Sequence, residues 1–208
     1  AMKRTSLASL ALVVSLAGTA PVFHGGCAVH THGPVDLSGT WPSDAGRLRD
    51  ETQRWTREAK LRDGYQEALA VEATLMAPSW RAAWIEQQQQ LRGLGDSERA
   101  ELLTQQQAEA QKTLAFALVV TTWDRAENDL HRGARAAWKL SLITADGRTL
   151  APVRVRRDRR PPHVLRAELP SYRDFSEAYV AEFANEPAIL SASTTSLRLR
   201  VSSARGAV

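Results

Sequence analysis

Five arginines stand within seven consecutive positions of this sequence, in Arg154-Val155-Arg156-Arg157-Asp158-Arg159-Arg160, and Pro161-Pro162 follow directly. Guanidinium groups hold phosphates and carboxylates in a planar, two-pronged geometry, so such a run suits contact with an anion: a lipid head group, a lipopolysaccharide or an acidic protein. Strand alternation puts Arg154 and Arg156 on an exposed face, opposite Val153 and Val155, while the prolines hold the following loop extended. The same charges would also discourage edge-to-edge strand pairing, which is the competing reading. A second group, Asp124, Glu127 and Asp129 near His131, has the chemistry for acid–base work or for a cation, although an ordinary solvated loop would carry the same residues.

Other signatures of catalysis are missing from the sequence. It holds no glycine-rich phosphate loop, no His-Glu-x-x-His helix and no nucleophile elbow, so no catalytic residue, resident metal or cofactor is expected and the protein reads as non-enzymatic. Trp55, Trp80 and Trp84 invite comparison with a carbohydrate-stacking platform, but at helical spacing they read as packing residues.

The N-terminus carries a different kind of information. Lys3 and Arg4 precede the apolar stretch Leu7 to Gly18, whose 12 residues fall short of the roughly 18 needed to cross a hydrocarbon core as a helix. This is the layout of an export signal. Cleavage after Ala20 would leave Pro21 as an awkward first residue; cleavage before Cys27, the sequence's single cysteine, is the better reading. Gly25-Gly26-Cys27 resembles the end of a bacterial lipoprotein signal, with His24 where that family usually has leucine. The resemblance implies diacylglycerol on Cys27 and a membrane anchor, and Ala28 in place of an aspartate implies sorting to the outer membrane, with the domain facing the periplasm or the cell surface. Each buried methylene of such an anchor contributes about 0.8 kcal/mol. Cys27, His30 and His32 have a spacing that zinc or copper accepts, yet an acylated cysteine has no thiolate to donate and two histidines alone make a poor site.

The expected organisation is a signal peptide over 1–26, a flexible tether over 27–43, a helical region over 44–113 and a β-sandwich over 114–208. Residues 27–113 carry 10 Lys and Arg against 13 Asp and Glu, whereas residues 114–208 carry 15 against 10. The excess of positive charge in the second part is too small to indicate nucleic acid. Three helices are expected in the first part. One runs from Ser43 or Asp44 towards Met76 on Leu48, Trp55, Ala59, Tyr65, Leu69 and Ala73; a second follows Pro78 and Ser79 and stops at Gly93 or Gly95; a third spans about 98–112, with Leu102 and Leu103 as its apolar contacts. Glutamines 87–90 and 105–107 fit solvated helix faces.

From Leu114 the apolar period becomes two. Strands are expected over 114–121, 138–143, 149–156, 164–169, 178–183 and 196–201, with a hairpin turn at Asp146-Gly147. The expected class is therefore α+β: an N-terminal helical segment followed by an antiparallel immunoglobulin-like or transthyretin-like sandwich. The expected role is an interaction or assembly module of the envelope, held to the membrane by its N-terminal lipid and meeting an envelope protein, an anionic lipid or a polysaccharide. The alternative is a hydrolase or carbohydrate-binding protein whose site is assembled from dispersed residues.

Overall fold

Ten residues of unbroken β-forming sequence, Thr113–Thr122, make the central strand around which the molecule is arranged. The computed structural model describes residues 34–185 and 187–208; the expected signal, Cys27, His30 and His32 lie outside them. In chain order the elements are α1 (Leu48–Trp55), β1 (Thr56–Asp63), β2 (Gln66–Leu75), α2 (Pro78–Arg92), α3 (Asp96–Lys112), β3 (Thr113–Thr122), β4 (Lys139–Thr144), β5 (Thr149–Leu150), β6 (Arg154–Arg157), α4 (Pro162–Glu168), β7 (Glu177–Ala184), β8 (Leu197–Ser203) and β9 (Gly206–Ala207). The class is α+β, with two antiparallel sheets ordered β1-β2-β3-β7-β6 and β5-β4-β8-β9. No helix among the described residues is long and apolar enough to cross a membrane.

β3 is buried along nearly its whole length because it is covered on both faces. Leu114, Phe116, Leu118 and Val120 meet Trp138, Leu140, Leu142 and Val201 in the core shared by the two sheets. Ala117 and Val119, on the other face, pack with Leu169 and are covered by Met76 and Tyr172. Burial of this kind supplies the main drive for folding, at about 25 cal/mol per Å² of apolar surface.

The expected helix from Ser43 or Asp44 to Met76 is corrected by the structure. Arg47 is the N-cap and provides no side-chain bond, α1 lasts only eight residues, and the chain then forms the β1–β2 hairpin. Asp63-Gly64-Tyr65-Gln66 makes the turn, with Gly64 at φ 60° in the first central position, as a type II′ hairpin favours. Leu69, Val71, Ala73 and Leu75 alternate onto the core face that β2 shares with β3, and this period of two competes with the helical one. Tyr65, expected on an apolar helix face, is fully exposed at the turn. The strand-rich part consequently does not begin at residue 114, since two of the five strands in the larger sheet come from residues 56–75.

α2 and α3 form as expected, although Pro78 opens α2 at its first turn instead of merely ending the preceding element, and Gly93 closes it at φ 64°. Gly95 caps α3, and its amide donates to the Glu98 carboxylate at 2.9 Å. The expected strand over 149–156 is divided between sheets. β5 pairs with β4 after the Asp146-Gly147 turn, and beyond Ala151-Pro152 the chain joins β7 as β6. Proline has no amide for a ladder, which suits it to that crossing. The expected strand over 164–169 is helix α4 instead, because Pro162 occupies a first-turn position where its fixed φ favours a helix. From Pro34 the expected tether lies against the domain, with Val35 and Leu37 packed on the core.

Candidate functional site

β6 forms one edge of the five-stranded sheet, and its outer face looks across β7 and β3 towards α2 and α3. Between them lies a groove of about 860 Å³, floored by Ala115, Val180 and Glu182 and walled on the helical side by Met76, Trp84 and Arg81. All five arginines of the Arg154–Arg160 run line it, so the structure brings the expected anion-contact residues to one concavity. They are not equivalent.

Arg160 is a structural residue. Its Nε donates to Asp158 Oδ1 at 3.0 Å, its Nη2 to Asp158 Oδ2 at 2.8 Å and its Nη1 to Glu168 Oε2 at 2.6 Å. Glu168 also accepts from Trp84 Nε1 at 3.2 Å, which ties the arginine run to α4 and α2. Burial pushes the Asp158 carboxyl up, but the hydrogen bonds and charge of Arg160, with Arg156, outweigh that and hold it below the ordinary aspartate range. Arg160 is displaced upwards in turn: its burial is outweighed by Asp158 and Glu168.

Arg157 also serves the scaffold. It stands opposite Tyr179 in the ladder, its Nη2 donates to Asn128 O at 3.2 Å, and its Nε lies 3.7 Å from Glu177. Arg156 reaches Glu182 at 3.8 Å, a long and half-exposed contact worth little in water. Arg154 and Arg159 are exposed, and their side chains have no ion-pair or hydrogen-bond partner among the described residues.

The opposite wall holds a cation that sequence reasoning did not single out. Arg81 is only 4% exposed; its Nε donates to Met76 O at 3.0 Å, its Nη1 to Gln106 Oε1 at 2.6 Å, and Glu109 lies 3.7 Å away. Burial pushes its guanidinium down, partly offset by Glu109 and Glu182, yet an arginine starts so high that it stays charged. Gln106 therefore does more than solvate a helix face: it joins α3 to α2. No local pattern marks Arg81, because its importance depends on helices that meet only in the fold. Each carboxylate in the groove has a nearby arginine: Glu109 has Arg81, Glu182 has Arg156, and Asp158 and Glu168 share Arg160. The groove arginines that make no ion pair are Arg154, which stands opposite Glu182 in the ladder, and Arg159.

The other candidates resolve into structural roles. Asp124 accepts from Ala126 N at 2.9 Å, Glu127 pairs with Arg205 at 2.6 Å, and Asp129 accepts from Ala137 N at 2.9 Å. His131 stacks on Tyr179, with ring centroids 6.2 Å apart; partial desolvation, Arg157 and Arg132 push its imidazole below the ordinary histidine value. Among the described residues no group of three His, Cys, Asp or Glu is placed to hold a metal. Trp55 and Trp80 are core residues whose indole N–H groups are spent on Glu51 and Ser79, and on Thr52. Comparisons with family models, with curated proteins and with solved structures return no match. The reading of the groove therefore rests on its own chemistry.

Proposed function

We propose that the protein is a non-enzymatic binding module of the cell envelope, anchored to the outer membrane through acylated Cys27, that receives an anionic group of its partner in the groove beneath β6. One observation carries this reading: Arg154 and Arg159 remain exposed with no side-chain ion pair or hydrogen bond among the described residues, although Arg154 stands opposite Glu182 in the β6–β7 ladder. Two exposed guanidiniums beside a floor that includes Ala115 and Val180 suit a phosphate or carboxylate presented on a larger molecule, such as an anionic lipid, a polysaccharide or an acidic face of an envelope protein. The Gly25-Gly26-Cys27 ending of the export signal supports the anchor. Two antiparallel sheets sharing one core support an immunoglobulin-like or transthyretin-like sandwich as the scaffold.

Binding of the full chain to phosphatidylglycerol vesicles, compared with phosphatidylcholine vesicles, tests the proposal. Arg154→Gln with Arg159→Gln is expected to weaken binding several-fold at low salt and less at physiological salt, where charges are screened over about 8 Å. Equal binding by the variant would overturn the groove as the contact.

A second reading has an observation of its own. Half-buried Trp84 shares the groove with Asp158 and Glu168, an arrangement that also suits stacking on a sugar ring. Both carboxylates are committed to Arg160, which favours carbohydrate binding over hydrolysis. Salt-independent binding of a neutral glycan, lost in Trp84→Ala and retained in the Arg154/Arg159 variant, would select this reading.

A further inference from the structure

β1 is the open edge of the five-stranded sheet. The opposite edge, β6, is flanked by the turn over Leu130–Arg135, and the edges of the smaller sheet, β5 and β9, are two residues each. β1 is eight residues long, and no backbone bond from another described element reaches its outer side. An edge of this length that the described residues leave unpaired is a template for another strand.

The charges along it are complementary to their own inverted copy. We infer that this edge pairs with β1 of a second copy of the chain, antiparallel about Lys60, to form one continuous sheet of ten strands, five from each copy. In that register Arg57 stands opposite Asp63 of the second copy, Glu58 opposite Arg62, and Ala59 opposite Leu61. Symmetry doubles each pairing. Sliding by one residue sets Arg57 against Arg62 or Glu58 against Asp63, and also turns every side chain to the wrong face.

The unpaired groups within one copy fit the same arrangement. Arg62 and Asp63 are exposed and have no ion-pair partner among the described residues. Glu58, which holds Lys60 at 2.8 Å, stands directly opposite Glu72 in the β1–β2 ladder, a like-charge pair that a second neighbouring cation would relieve further. Arg62 of the second copy supplies that cation. Lys60 falls opposite itself, but each Lys60 is already held by Glu58 at 2.8 Å, with Glu67 at 3.9 Å, and Glu58 of the second copy lies on the diagonal. On the inner face Ala59 and Leu61 are half-buried against the core, so their pairing extends an apolar layer already present. The register shift in the β1–β2 ladder leaves Ala68 of β2 as the extra residue, and β1 itself runs on without interruption.

The test is sedimentation equilibrium of the full chain at low salt, with Glu58→Arg and Arg62→Glu as separate variants. Each is expected to raise the dimer dissociation constant about tenfold or more, because attractive cross-strand pairs become repulsive. An equimolar mixture of the two variants should form heterodimers, and the double exchange Glu58→Arg/Arg62→Glu should restore self-association. Lys60→Cys in a Cys27→Ala background should form a disulfide across the symmetry axis. A wild type that is monomeric at every concentration overturns the proposal. Single variants that dimerise as well as the wild type, or a mixture that fails to recover, overturn it equally.

Discussion

Arg160 Nη1 lies 2.6 Å from Glu168 Oε2, so the last arginine of a run that looks like a uniform basic patch is the bond that fastens β6 to α4. Asp158 and Glu168 have side chains only 5% exposed, and both depend on this guanidinium. Replacing Arg160 with Gln should destabilise the protein by about 1–3 kcal/mol, the cost of leaving buried acceptors without their donor. The lower end is expected, because Arg160 is 38% exposed and solvent replaces part of the loss. Arg154→Gln and Arg159→Gln should leave the midpoint of thermal unfolding nearly unchanged; parallel melts followed by circular dichroism check the contrast.

The Asp158 carboxyl has a predicted pH dependence of definite sign. Its folded value is depressed, so the stabilisation it contributes is present above the unfolded aspartate value of about 3.9 and is lost as pH falls through the folded value. Chemical denaturation of the wild type should therefore become easier below about pH 4. In Arg160→Gln the carboxyl, still buried but without its principal counter-charge, should titrate at higher pH; carboxyl NMR of Asp158 in the two proteins measures the displacement.

Tyr179 anchors the connection between β3 and β4. Its hydroxyl donates towards Asn128 O at 2.7 Å and Oδ1 at 2.9 Å, while Asn128 Nδ2 donates to Val120 O at 2.8 Å. Tyr179→Phe keeps the ring in the core but deprives buried Asn128 of a donor, at an expected cost of about 1–3 kcal/mol. Hydrogen exchange should show the added opening concentrated over residues 124–137, with the amides of β8 little affected.

The anchor proposal predicts that a fatty-acid analogue supplied to growing cells labels the wild type and leaves Cys27→Ala unlabelled. Equal incorporation into both would remove Cys27 as the attachment point.

Much of the architecture is legible in local patterns. Leu114, Phe116, Leu118 and Val120 alternate as a strand should, Asp146-Gly147 marks its turn, and Pro78 and Gly93 bracket α2. Residues 56–75 are ambiguous for a physical reason. Ala59, Leu69, Ala73 and Met76 suit a helix, while Leu69, Val71, Ala73 and Leu75 suit a strand, and what decides between them is the ladder β2 makes with β3, more than forty residues further on. Propensity is a weak prior against such long-range pairing.

The same division holds for the groove. The sequence by itself determined that guanidiniums would be concentrated between residues 154 and 160, and strand alternation separated Arg154 and Arg156 from Arg157. Tertiary structure alone decided which of those charges remain available, because Glu168 arrives on α4, Glu182 on β7 and Glu109 on α3 opposite the buried Arg81. A charge is available for binding only when the folded chain leaves it unmatched, and that depends on distances in space that positions along a chain do not specify.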